Sequence, residues 1–466
     1  MLSIGIDFGT SNSSVAVFDP SAPLRAGPSA PPSTSLRAGG QKVRLLELDV
    51  HARDPRVMRS LLYIPRDGEI VAGQRALDMY TEQNTGREVR MERRYLGEVK
   101  MTFSDMEVLK DAYAMVDVNE PGRLFQSLKR FLAVTSFKKT NVFGVEYTLE
   151  ELVATLARQI VRGAEAALGR SIDALVIGRP VRFHDDEAKN LAAFDRLQKA
   201  WGLTGVTDIR FMEEPVAAAH HHASETRLAP GTRFLVFDFG GGTLDVTVAK
   251  ATEGSIDVLA TGGVPLGGDL LDSRIMESRI ARHFGRGARY QPEDLPVPNH
   301  IFARLRSWQS IVELNRPDRL EIIRDARKKS DSPKELSALE SLVTRNHGLG
   351  LFRAIEQAKI ALSDDDWAEV RLQVDEIDVA EGITRDEFEA AIGGQVKSAM
   401  RCVVKAVTDA GCEPGDIRLV ITTGGSSLIP VFRERLREAL PEAEITASST
   451  FTSVAAGLAL AGGTGE

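Results

Sequence analysis

At 466 residues, 43% hydrophobic and 27% charged, the chain has the size and composition of a globular protein of two or three domains. A net charge of −8 and a sequence pI near 5.7 give no basic footprint for DNA or RNA, and no apolar run approaches the roughly 20 residues that span a bilayer. Cys402 and Cys412 have no second cysteine or histidine at metal-ligand spacing, which points to a reducing cytoplasm.

The start, "MLSIGIDFGTSNSS", has no basic region ahead of an apolar stretch, so no secretory signal is expected and the chain begins as folded protein. From Ile4 to Asp19, "IGIDFGTSNSSVAVFD" alternates apolar residues, passes through Asp-Phe-Gly and a Gly/Thr/Ser turn, and alternates again; it reads as a β-hairpin. Pro20 to Gln41 is rich in Pro, Ser, Ala and Gly and reads as a mobile surface loop. "LEELVATLARQIVRGAEAALG" reads as a helix, and Ser171 to Phe183 as a strand ending at Pro180.

"LVFDFGGGTLDVTVAK", Leu235 to Lys250, repeats the plan of the first hairpin, and two copies imply two related lobes. Around Arg282 to Gly350 the chain turns polar and helical, which reads as a solvated helical subdomain. "GDIRLVITTGG" is a strand into a turn, followed by a helix over "PVFRERLREAL". Strands alternating with helices argue for α/β lobes with helix-covered sheets.

Three consecutive glycines cost stability inside a strand, so the position must serve something other than packing. A turn of Gly and Thr exposes several backbone N–H groups with no Cβ in the way, which is what a phosphate chain needs. Two such turns facing each other could clamp a triphosphate. The neighbouring carboxylates Asp7, Asp238 and Asp245 suit Mg²⁺, which prefers carboxylates, water and phosphate oxygens. The chain has no G-x-x-x-x-G-K-[ST], and no Gly-Lys pair at all, so the nucleotide fold implied is not that of a P-loop.

"IGIDFGTSNSSVAV", "FMEEPVAAA", "FDFGGGTLDVTV", "GGVPLGGDLLD" and "TTGGSSLIP" resemble, in this order, the signatures of the actin/Hsp70 ATPase superfamily, and of its Hsp70 branch in particular. The variant "IGRPVRF", the enlarged helical region and the length are most similar to short bacterial Hsp70-like proteins of the YegD type. The resemblance implies an α/β, actin-like ATPase fold of two ribonuclease-H-like lobes, each with a smaller subdomain, closing on nucleotide. Lobe I would span 1–227, with its core at about 1–60 and 149–227 and a small subdomain at about 61–148. Lobe II would span 228–466, with its core at about 228–268 and 381–466 and a helical subdomain at about 269–380; the last helix would pack back on lobe I.

Carried over residue by residue, the resemblance implies ATP or ADP with Mg²⁺ as cofactors. Gly9, Thr10, Ser11 and Asn12 would line the first phosphate turn, and Gly240, Gly241, Gly242 and Thr243 the second, joined by Gly267 and Gly268. Asp7, Asp238 and Glu214 would hold the metal mostly through water, and Asp245 would order the attacking water. "LFQSLKRFLA" resembles the segment of the family's catalytic lysine, giving Lys129; the catalytic set is then Lys129, Glu214, Asp238, Thr243 and Asp245. "AIEQAKIALS" supplies Glu356, Lys359 and Ser363 to the ribose and base, and "TTGGSSLIP" supplies Gly424, Gly425 and Ser426.

Departures from the family fall on adenine stacking, where arginines are replaced by Leu428 and Ile360, and on interdomain signalling, at Ala188 and Phe451. With the sequence ending at "AGLALAGGTGE", the family's peptide-binding domain is expected to be absent. The function implied is a slow, chaperone-type ATPase module that does not grip unfolded peptide through an attached domain. A nucleotide-controlled actin-like assembly or regulatory protein, and a small-molecule kinase of the same superfamily, are the alternatives. No partner beyond nucleotide is read from the residues: neither nucleic acid nor membrane is expected. His220 to His222 read as a polar helix end, Asp364 to Asp366 as a helix terminus, and Trp201, Trp308 and Trp367 as core or helix-packing residues.

Overall fold

The two alternating segments fold as hairpins at the centres of two sheets that share one plan. The computed structural model describes residues 2–19, 35–38, 41–103, 106–184, 186–225, 228–253, 256–447 and 452–464. Most of the Pro20 to Gln41 segment, and Phe451, lie outside the described residues.

In the first sheet the strand order is Asp208–Glu213, Ala174–Arg179, Ser3–Phe8, Asn12–Phe18, Gln41–Leu45 and Ser35–Ala38. Ser3–Phe8 runs parallel to Ala174–Arg179 on one side and antiparallel to Asn12–Phe18 on the other. In the second sheet the order is Ile256–Val264, Leu244–Ala251, Arg233–Phe239, Ile417–Thr423 and Glu444–Ala447. Arg233–Phe239 is likewise parallel to Ile417–Thr423 and antiparallel to Leu244–Ala251. Each sheet is thus an antiparallel meander extended by two parallel strands. Parallel strands need long crossovers, and helices supply them: Leu149–Leu168 and Glu187–Gly202 in lobe I, Gly393–Asp409 and Pro430–Ala439 in lobe II.

Local chemistry sets these helices. Leu149–Leu168 opens on a capping box between Thr148 and Glu151 and closes at Gly169, whose φ of 69° is left-handed. Its apolar stripe, including Leu152, Leu156 and Ile160, enters the lobe I core with Phe8 and Trp201, whose rings meet edge to face at 5.7 Å.

The lobes share a floor. Val176 of lobe I, Ala217 to Ala219 of the Glu214–Glu225 helix, Phe234, Val236, Leu419 and Ile421 of lobe II, and Val454 and Leu458 of the Ser453–Thr464 helix form one apolar cluster. That final helix lies against Ser3–Phe8 and Glu214–Glu225 so closely that a Cβ on Gly457 would sit 1.7 Å from the Ala217 carbonyl oxygen.

The two lobes also meet at a second contact. Tyr80 and Trp308 pack at 5.7 Å, the Trp308 Nε1–H donates to Gln126 Oε1 at 3.0 Å, and Asn346 donates to the Tyr80 hydroxyl and the Asn84 carbonyl. Backbone bonds from Gly86 to Arg345 and from Val89 to Thr344 complete this contact.

The segment from Arg282 to Gly350 is helical, but it is not merely a solvated face. Phe284, Ile301, Leu305, Ile311, Leu314, Leu336 and Leu342 are buried in a core continuous with that of lobe II. Its charged residues mask an apolar stripe divided among many short helices. Trp367 is 57% exposed rather than core, lying over Gly382 on a two-stranded hairpin. Among the described residues no helix is long and apolar enough to cross a membrane.

Candidate functional site

Both glycine turns open into one cavity of about 1140 Å³ between the lobes. Of the residues singled out from sequence, Asp7, Gly9 to Asn12, Lys129, Glu214, Asp238, Gly240 to Thr243, Asp245, Gly268, Glu356, Lys359, Ser363 and Gly424 to Ser426 all line it. Gly267 does not. It packs behind the second turn, where a Cβ would lie 2.3 Å from the Gly241 carbonyl oxygen.

The turns face each other at close range. A Cβ on Gly241 would come within 1.9 Å of Ser11 Oγ, and one on Gly242 within 2.8 Å of Thr10 Cγ2. No side chain fits there, which is the reason for the glycines. Ser11 Oγ is itself buried and has no hydrogen-bond partner among the described residues, so an anion oxygen between the turns would satisfy it. Ser426 lines the cavity, and its hydroxyl donates to the Gly240 carbonyl at 2.9 Å and braces the second turn.

Strand register refines the likeness of the two hairpins. Asp238 pairs across its hairpin with Asp245, while Asp7, its equivalent, pairs with Ser14. The copies therefore match at one aspartate, and the second carboxylate belongs to lobe II alone.

Lys129 arrives on a short 3₁₀ turn, Leu128–Phe131, preceded by Ser127 in a left-handed conformation with φ of 57°. For a non-glycine residue that conformation is costly and must be held by its surroundings. The buried Lys129 ammonium donates to Glu214 Oε1 at 2.5 Å, and Glu214 is the first residue of the Glu214–Glu225 helix. Burial alone would lower the Lys129 pKa, but Glu214, Asp7 and Asp245 outweigh it and keep the ammonium charged.

One cation does not neutralise this cluster. Burial, then the Glu214 charge, pushes Asp7 up to about 7, against a partial offset from Lys129. Asp245 is raised to about 7 by the same two causes, opposed by a hydrogen bond from the Thr243 hydroxyl at 3.0 Å. Burial raises Asp238 well above the carboxylate range, helped by Glu214, Asp245 and Asp7. An excess of buried hard oxygen donors suits Mg²⁺. Among the described residues no three potential ligands lie close enough to hold a metal directly, so an ion here would be held through water and phosphate.

At the other wall, the Gly348–Asp364 helix presents Glu356, Lys359 and Ser363. Glu356 pairs with Arg59 of lobe I at 3.6 Å. Lys359 is buried, bound to Asp272 at 2.8 Å and to the Gly268 carbonyl at 3.2 Å, so its ammonium anchors the loop after the second turn. Burial lowers its pKa, while Asp272 and Glu356 more than restore it.

Sequence reasoning missed Arg59, Gln126, Asp269 and Asp272. The last two stand three apart in "GGDLLD", one helical turn, so both could have been placed on the face that meets Lys359. The histidine run is corrected: His221 and His222 are buried within the Glu214–Glu225 helix, and His221 is driven down to about 4 by burial and then by His222.

Comparison with known proteins follows the same residues. The family model described as "Hsp70 protein" matches residues 127–307 and 339–465, well over half of the chain. Heat shock 70 kDa protein BIP3 of Oryza sativa subsp. japonica is 28% identical over 447 residues, which cover 93% of this chain and 52% of the rice protein. The chain spans about half the length of the curated relative it matches.

Proposed function

The chain belongs to the Hsp70 family and has its actin-like ATPase fold, and from that premise we propose that it binds Mg²⁺·ATP in the inter-lobe cleft and hydrolyses it slowly to ADP and phosphate. The observation that carries this reading is the buried Lys129–Glu214 pair, set among Asp7, Asp238 and Asp245 where the two glycine turns face each other.

The N–H groups of Gly9 to Asn12 and Gly240 to Thr243 cradle the phosphates, with no Cβ to hold them off. The magnesium ion, when bound, neutralises phosphate charge, and Asp7, Asp238 and Glu214 orient its water shell. The Lys129 ammonium orients the attacking water and offsets charge developing on the transferred phosphoryl group. Asp245, poised near neutrality and steadied by Thr243, takes up the proton that water releases. Glu356 and Ser363 face the nucleoside. The buried cysteines Cys402 and Cys412 suit a reducing compartment, for which we take the cytoplasm.

Phosphate release from ATP tests the reading. Turnover should require Mg²⁺, and Asp238→Asn should lower it by about 100-fold, the scale of losing one preorganised electrostatic group. A wild-type rate that is the same in EDTA as in Mg²⁺ overturns it.

A further inference from the structure

The cavity wall formed by the Gly348–Asp364 and Pro430–Ala439 helices carries groups that phosphate chemistry does not use. Ile360 and Leu428 stand 56% and 40% exposed on two different elements, yet both line the concave cleft. Isolated aliphatic residues on an open surface need no explanation, whereas inside a cleft they form a wall for a flat, apolar group.

Arg433 lines the same cavity from the first turn of Pro430–Ala439. Among the described residues it forms no ion pair, and its Nε is covered by protein without an acceptor. Arg435, on the same helix, is held by Glu438 at 2.6 Å. A half-buried guanidinium without an ion-pair partner has donors to offer a ligand that brings acceptors. Asp364 and Glu434 line the cavity beside it and complete the polar rim.

Aliphatic faces beside a fork of donors match a nucleobase, which is flat, apolar on its faces and polar at its edge. A guanidinium discriminates among such edges. Guanine presents two adjacent acceptors, O6 and N7, whereas adenine presents N7 next to a donor amino group. We propose that Arg433 reads the base in this cleft, with Ile360 and Leu428 as its apolar walls, and that guanine nucleotides are accepted alongside adenine ones. This inference deepens the nucleotide-binding reading and rests on it.

The test is equilibrium titration of the whole chain, in Mg²⁺, with ATP, GTP and inorganic tripolyphosphate, for the wild type, Arg433→Ala and Arg433→Gln. The glutamine variant keeps an aliphatic stem at the wall. Wild-type affinity for GTP should lie within about tenfold of that for ATP, and both variants should lose about tenfold or more for GTP, less for ATP, and nothing for tripolyphosphate. Wild-type binding of ATP without GTP overturns the inference alone, as do variants that leave GTP binding unchanged or lose equally for ATP and GTP. Failure of the wild type to bind either nucleotide overturns the nucleotide reading with it.

Discussion

Lys129 defines the residue scale of this protein. A lysine is seldom fully buried, and this one is kept charged by Glu214, Asp7 and Asp245 despite the desolvation that opposes it. The carboxyls around it bear the opposite strain, and the sign of the resulting pH dependence follows from that. Asp7 and Asp245 titrate near 7 in the folded chain, against an ordinary value of 3.8. Between these values the folded state holds protons that the unfolded state has released, so stability falls as pH rises from about 4 to 7 and stays low above that. In EDTA the melting temperature should therefore drop by several degrees between pH 5 and pH 8, and Mg²⁺ at pH 8 should restore it. A metal-free melting temperature that rises across this range would contradict the electrostatic account.

Hairpins and crossovers carry the element scale. The final helix is held by close backbone approach rather than by large side chains, since Gly457 leaves no room for a Cβ beside Ala217. Gly457→Val should separate this helix from Glu214–Glu225, costing several kcal/mol, at the upper end of single substitutions. Thermal melting and limited proteolysis would show a lowered transition and early cleavage near the C-terminus; an unchanged pattern would mean that the helix is not load-sharing in the lobe floor.

Elements of this kind were legible where their cause is local. The apolar alternation of Ile4 to Asp19 and Leu235 to Lys250 gave both hairpins, and Thr148, Glu151 and Gly169 punctuate a helix visible from its stripe. That the two glycine turns and Lys129 would share one cavity was legible through family resemblance. The pairing of Lys359 with Asp272, the bracing of Gly240 by Ser426 and the covered guanidinium of Arg433 were not, because each depends on residues brought together from distant parts of the chain. The segment from Arg282 to Gly350 misled for a related reason: its short helices divide one buried face into pieces too brief for a period to show.

At the scale of the whole molecule, two lobes built on sheets of one plan share an apolar floor and meet again at Tyr80 and Trp308, with the proposed nucleotide site in the cavity between them. If the lobes close on nucleotide, as the proposed function implies, its release would require the Tyr80–Trp308 contact and its neighbouring hydrogen bonds to part. Trp308→Ala removes a buried aromatic at a cost of about 3 kcal/mol, borne chiefly by the closed arrangement. Stopped-flow displacement of a fluorescent ADP analogue should show release at least several-fold faster, and an unchanged rate would mean that this contact does not gate the site.

The central claim is that the buried Lys129 serves chemistry rather than nucleotide binding. Single-turnover hydrolysis of γ-labelled ATP, at saturating protein and Mg²⁺, isolates that step. Lys129→Ala should retain bound nucleotide while hydrolysis falls by about 100-fold; a variant that binds ATP and cleaves it at the wild-type rate would contradict the account.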